Sequence, residues 1–218
     1  MNALILVDLQ HDFLPGGALA VGGGDEIPPL ANGLMDAFDC VVATQDWHPA
    51  NHGSFAANHP GSHVGQVIEL HGLPQVLWPI HCVQGTRGAE FSSALNVSGI
   101  NRVFHKGTDP TIDSYSGLYD NGHRKSTGLK EYLKERSVLR VYILGLATDY
   151  CVKFTALDAA AEGFQVYLIE DACRGVDLRR GDVSDALTEM KFAGVTMIKS
   201  SDVMKLLAAS SLAPGEGS

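Results

Sequence analysis

The chain has no Cys-x-x-Cys pair: its four cysteines, Cys40, Cys82, Cys151 and Cys173, are widely scattered. Zinc ribbons and dense disulfide frameworks need closely spaced cysteines, so neither is expected. Long apolar runs are also missing. The first, Ala3 to Val7, is cut by Asp8 and is too short for a signal-peptide core or a membrane span. Positive charge is scarce, with 16 lysines and arginines against 25 aspartates and glutamates and a formal net charge of −9. Nucleic-acid partners need a basic face, and no long one is visible. No Gly-x-Gly-x-x-Gly fingerprint follows the first apolar run, which argues against a dinucleotide-binding enzyme. Internal repeats and low-complexity segments are absent. These gaps predict a cytoplasmic protein with no nucleic-acid or membrane partner. One domain is expected over residues 1–211, with a flexible tail over 212–218.

What is present is an alternation of short apolar runs and helical patterns. Strands are predicted at Ala3–Leu9, Cys40–Thr44, Arg102–Lys106, Val141–Leu144, Gln165–Ile169 and Val195–Lys199. Between them lie a helix opening at Pro28-Pro29, one capped by Ser126 or Thr127, one from Val152, one capped by Gly181 or Asp182, and a last one from Ser201. The region Gln45–Phe91, rich in glycine, histidine and proline, reads as a long loop with short helical pieces, of a length that is usually either functional or disordered. The fold class is α/β: a three-layer α/β/α arrangement with a mostly parallel central sheet of about six strands. Apolar faces on the outer helices leave room for a homo-oligomer.

In such a sheet the ligand crevice lies beyond the C-terminal strand ends. Asp8, Asp46, Lys106 and Cys151 each fall at or just after a different strand end. Thr148 and Asp149 are good N-cap residues, which predicts Cys151 in the first turn of a helix, where a thiol ionises more easily. Asp8 can act as base and then acid for such a thiol, and Lys106 can steady both. Each charge alone is more simply a strand-end salt bridge. A second constellation is histidine: six of nine, His48, His52, His59, His63, His71 and His81, lie between Trp47 and Cys82. Asp46 and His48, two residues apart on an extended segment, can face one side, and a later histidine can complete a site for zinc, ferrous iron or manganese. His59 and His71 read as surface histidines.

The segments LILVDLQHDF (4–13), TQDWHPANHGSF (44–55), WPIHC (78–82), VFHKG (103–107) and GLATDYCVKFTALDA (145–159) carry a resemblance over nearly the whole chain. They closely resemble the nicotinamidases of the isochorismatase-like cysteine hydrolases. The resemblance implies an isochorismatase-like hydrolase fold and hydrolysis of nicotinamide, a small-molecule substrate, to nicotinate and ammonia through a Cys151 thioester, with pyrazinamide as a further substrate and a place in NAD salvage. It implies Asp8, Lys106 and Cys151 as the catalytic triad, and Asp46, His48 and His81 as ligands of one divalent metal, zinc foremost, with His52 a further ligand in some members. Phe13, Trp78, Tyr115 and Tyr150 match the substrate pocket. The family's cis peptide would fall at Leu146-Ala147, with the Ala147 and Cys151 N–H groups forming an oxyanion hole. Two alternatives stay open: an amidase of the same superfamily acting on a carbamoyl or ureido compound, and an inactive small-molecule-binding relative.

Overall fold

The computed structural model describes residues 1–211, so the tail expected over 212–218 lies outside the described residues. In chain order the strands and α-helices are β1 (Asn2–Val7), α1 (Ile27–Met35), β2 (Cys40–Asp46), β3 (Val67–Leu70), β4 (Leu73–Val76), β5 (Arg102–Lys106), α2 (Leu129–Glu135), β6 (Arg140–Leu146), α3 (Lys153–Ala161), β7 (Gln165–Arg174), α4 (Asp182–Phe192), β8 (Thr196–Ile198) and α5 (Val203–Ser211).

A strand covered on both faces has no polar side to show, and β1, β2 and β6 are buried over almost their whole length. They sit inside a six-stranded sheet of order β5-β2-β1-β6-β7-β8 in which every pairing is parallel. Helices flank this sheet, as the alternating pattern predicts. The chain winds outward from β1 through β2 to β5, then returns to the centre and winds the other way through β6, β7 and β8. The winding reverses between β1 and β6, paired from Asn2↔Arg140 to Val7↔Gly145. A side chain at Gly145 would put its Cβ 2.1 Å from the Val7 carbonyl oxygen, so glycine lets these strands close up. Ligands bind at such reversals, beyond the strand ends. Asp8 follows β1 and Cys151 follows β6, one on each side of the gap.

Helix α1 carries Pro28 and Pro29 in its first turn as predicted. At the entry to α2, Ser126 Oγ accepts the Gly128 N–H and Thr127 Oγ1 accepts the Leu129 N–H, at 3.0 and 3.2 Å. The long loop needs correction. Within it β3 and β4 form an antiparallel hairpin, with Leu70 opposite Leu73. Its two turn residues, His71 and Gly72, have φ of 48° and 85°, the left-handed pair that matches strand twist. Pro74 obscured this strand in the sequence; the two-stranded ribbon has free edges where a missing N–H is tolerated. Among the described residues, no helix is long and apolar enough to cross a membrane. All four cysteines are buried and free.

Candidate active site

The turn after β6 differs from its expected form. The Leu146-Ala147 peptide is cis, and Thr148–Val152 form a π-helical turn before α3 begins at Lys153. Neither Thr148 nor Asp149 caps a helix. Asp149 instead accepts the Val176 and Asp177 N–H groups at 2.9 and 2.8 Å, tying the loop after β7 to the Cys151 turn. Its short carboxylate finds those outside donors, whereas the N-cap position falls at Ala147.

Lys106, the last residue of β5, is completely enclosed as a side chain. Its ammonium lies 2.8 Å from Asp8 Oδ2 and 2.5 Å from Asp46 Oδ1, donates to the Ser114 carbonyl at 3.1 Å and reaches Cys151 Sγ at 3.2 Å. Thr44 Oγ1 donates to the other Asp8 oxygen at 2.6 Å. Asp8 itself has φ of 51°, a costly backbone state for a non-glycine residue, held here by flanking strand and loop bonds. Gln10 reinforces the layout: it accepts the Asp46 N–H and donates to the Asp46 carbonyl, both at 2.8 Å.

One cation among two carboxylates and a thiol decides the protonation pattern. Burial disfavours the Lys106 charge, but Asp46, Asp8 and Cys151 outweigh it and hold the ammonium pKa well above its ordinary value. Burial would raise Asp46, yet Lys106 and His48 win and hold that carboxyl well below the usual range. Asp8 goes the other way, because burial and Asp46 together exceed the pull of Lys106. Burial also pushes the Cys151 thiol well above its ordinary value, and Asp8 and Asp46 add to what Lys106 offsets only in part. The sequence-based expectation of an easily ionised thiol is therefore corrected. Desolvation and two carboxylates outweigh the helix-end position, leaving a neutral thiol beside a carboxylate of raised basicity.

Asp46 also faces the histidines. Its Oδ2 is 3.5 Å from His48 Nε2 and 3.7 Å from His81 Nε2. His48 Nδ1 donates to the Gly107 carbonyl at 2.9 Å, and His81 Nδ1 donates to the Pro79 carbonyl at 2.8 Å. A proton fixed on each Nδ1 leaves each Nε2 lone pair free, which is how histidine ligands are normally oriented. Gly107 permits this approach, since a Cβ there would fall 2.3 Å from His48 Cε1. Ligand atoms from Asp46, His48 and His81 all lie within 4.8 Å of one another. One carboxylate and two imidazoles suit a borderline divalent ion, so the residues fit the metal that the resemblance implies. His52 lies beside them, its ring centroid 4.3 Å from that of His48, and burial holds its pKa down at about 4. His63 and His71 are exposed, whereas His59 is half-buried, with Nε2 2.7 Å from the Gly53 carbonyl oxygen.

Cys151, Asp46 and His81 open onto one pocket of about 360 Å³, which includes open solvent at its mouth. Phe13, Trp78, Tyr115 and Tyr150 all line it, together with Ala147, Cys151, Asp46 and His81. Trp78 stands edge-on to Tyr150 at 4.8 Å, and Trp78 Nε1 donates to the Tyr115 hydroxyl at 3.1 Å. Sequence reasoning missed Leu19, Asp113 and Val176 on the lining, and Gln75 behind it. Leu19 and Val176 carry no chemical signature. Asp113 had a weak one: an acid seven residues past Lys106, in a segment read only as loop and shared with Asp109 and Asp120.

A parallel α/β sheet with a cysteine, a carboxylate and a lysine meeting at its winding reversal, beside residues that could hold a metal ion, defines a hydrolase of the cysteine-nucleophile type. A family model described as the isochorismatase domain matches residues 2–202. The Escherichia coli nicotinamidase is 48% identical over 205 residues, covering 92% of this chain and 96% of that protein. The structure of an Acinetobacter nicotinamidase and pyrazinamidase superposes with a TM-score of 0.90 at 50% identity, covering 93% and 97% of the two chains. That of a Pyrococcus horikoshii pyrazinamidase in complex with zinc does so with 0.74 at 41%, covering 91% and 98%. The chain belongs to the isochorismatase family.

Proposed function

We propose that the protein is a zinc-dependent nicotinamidase that hydrolyses nicotinamide to nicotinate and ammonia, also accepts pyrazinamide, and serves cytoplasmic NAD salvage. Residues 1–211 act in this reading as one domain. The observation that carries it is the shared pocket, lined at once by Cys151, by Asp46 and His81, and by the rings of Phe13, Trp78, Tyr115 and Tyr150. A flat aromatic ring that bears both an amide and a ring nitrogen can meet the thiol and the ligand atoms within one such pocket.

Asp8 takes the thiol proton as sulfur adds to the carboxamide carbon. The Ala147 and Cys151 N–H groups receive the oxyanion. Asp8 then gives the proton to the departing nitrogen as the carbon–nitrogen bond breaks, which leaves a nicotinoyl thioester and ammonia. Water adds to the thioester carbonyl while Asp8 accepts its proton, and the carbon–sulfur bond breaks as that proton returns to sulfur. Lys106 stays protonated throughout and steadies Asp8 and the sulfur. An ion held by Asp46, His48 and His81 would supply a Lewis-acid contact for the pyridine nitrogen, fixing the ring's orientation.

A carbamoyl or ureido substrate has no ring nitrogen to use that ligand set. Ammonia release from nicotinamide, pyrazinamide and aliphatic amides, each with and without chelator, tests the reading. Chelator-sensitive turnover of the two aromatic amides alone is expected; preference for an aliphatic amide would replace this function with the rival one.

A further inference from the structure

Two buried groups beside the ligand set stand without their natural partners. Asp113 is 3% exposed and lines the same pocket as Asp46, His81 and Cys151. One of its oxygens accepts the Ser114 N–H at 2.8 Å and the other accepts Gln75 Nε2 at 3.0 Å. Among the described residues no lysine, arginine or histidine forms an ion pair with it. A buried carboxylate held only by two neutral donors lacks compensating charge. The other group is His52, fully enclosed, whose Nε2 has no hydrogen-bond partner. The two lie together: ligand atoms of His48, His52 and Asp113 fall within 4.8 Å of one another.

The neighbours of His52 settle which of its nitrogens carries hydrogen. Nδ1 receives the Ser54 backbone N–H at 3.2 Å and sits 2.7 Å from Ser54 Oγ. A backbone N–H can only donate, so Nδ1 presents its lone pair and the hydrogen of the neutral ring is on Nε2. The Ile112 carbonyl, which favours a proton on this ring, misses hydrogen-bond geometry with Nε2. A protonated Nε2 offers an ion no lone pair, but it can donate to an oxygen.

We propose that Asp113 and His52 are positioning residues of the cation site. Asp113 adds a second negative charge beyond Asp46, His52 donates from Nε2, and both reach the ion through water rather than by direct ligation. The inference rests on the reading that Asp46, His48 and His81 hold the ion. It also gives the hairpin a purpose, because Gln75 of β4 aims Asp113 and bonds the Tyr115 hydroxyl at 3.1 Å.

Zinc titration of metal-free protein against a competing chelator tests this on wild type, Asp113→Asn, His52→Gln and His81→Gln. Asp113→Asn is expected to weaken zinc binding roughly 10–100-fold, the usual effect of losing a partner one step from a metal. His52→Gln, which keeps an N–H donor, stays within about 3-fold of wild type, and His81→Gln falls furthest. Thermal unfolding separates this from a structural role: metal-free Asp113→Asn melts at or above the wild-type temperature, while the upward shift on adding zinc shrinks. Unchanged zinc affinity in Asp113→Asn overturns the proposal, and so does a lower metal-free melting temperature without a change in affinity. A His52→Gln loss equal to that of His81→Gln overturns it as well, making His52 a direct ligand. If wild type and His81→Gln bind zinc equally poorly, the metal reading itself has failed and the inference falls with it.

Discussion

Lys106 Nζ lies 3.2 Å from Cys151 Sγ, and the same ammonium lies 2.8 Å from Asp8. One buried cation therefore touches both the proposed nucleophile and its proposed base, and through Asp46 it also touches the proposed ligand set. Replacing it with methionine keeps much of the length but strands two buried carboxylates. Breaking a buried pair of this kind costs about 3–5 kcal/mol. Urea unfolding of Lys106→Met should show a loss of that size together with loss of turnover; wild-type stability would show that the ion pairs do not form.

The raised Cys151 thiol makes the resting cysteine a poor nucleophile without its substrate. An upward shift means that less thiolate is present at any given pH. In metal-free protein, alkylation of Cys151 followed by peptide mapping should be slow near neutrality and still accelerating above the ordinary thiol value of 9.0. A rate that levels off below pH 8 would contradict the burial argument.

His81 touches the ligand set without touching Lys106, so it separates the metal's contribution from the triad's. His81→Ala should lower kcat/KM for nicotinamide at least about 100-fold, as expected when a ring loses its orienting contact. Chelation of wild type should do the same, and added zinc should restore wild type only. Steady-state kinetics on both proteins decides the matter; an unimpaired His81→Ala removes the metal from the account.

Asp149 sits two residues before Cys151 and holds the loop that carries Val176 onto the pocket lining. Asp149→Ala leaves two N–H groups without their acceptor, a cost of about 1–3 kcal/mol. KM should rise because Val176 drifts from the pocket, and Asp149→Asn should recover part of the loss by accepting one bond. Equal KM values in wild type and Asp149→Ala would show that the tether does not shape the pocket.

The sheet was legible because its central strands are buried on both faces and read as unbroken apolar runs, from Ala3 to Val7 and from Val141 to Leu144. Four strand ends then put Asp8, Asp46, Lys106 and Cys151 into one crevice without any coordinate. The hairpin was not legible, since β3 alternates between exposed and half-buried and β4 contains a proline. The thiol's acidity was misjudged because its sequence position reports a helix end, while burial and the approach of Asp8 and Asp46 are tertiary facts. Asp149 was misread for the same reason: its partners at Val176 and Asp177 are 27 and 28 residues away.

The central claim is that Cys151 carries the acyl group. Ammonia release from nicotinamide by wild type and Cys151→Ala, with zinc content measured on both, tests it most directly. The account predicts that Cys151→Ala binds zinc as wild type does and releases no ammonia above background. Near-normal hydrolysis by Cys151→Ala, stopped only by chelation, would contradict it and assign the chemistry to the metal site.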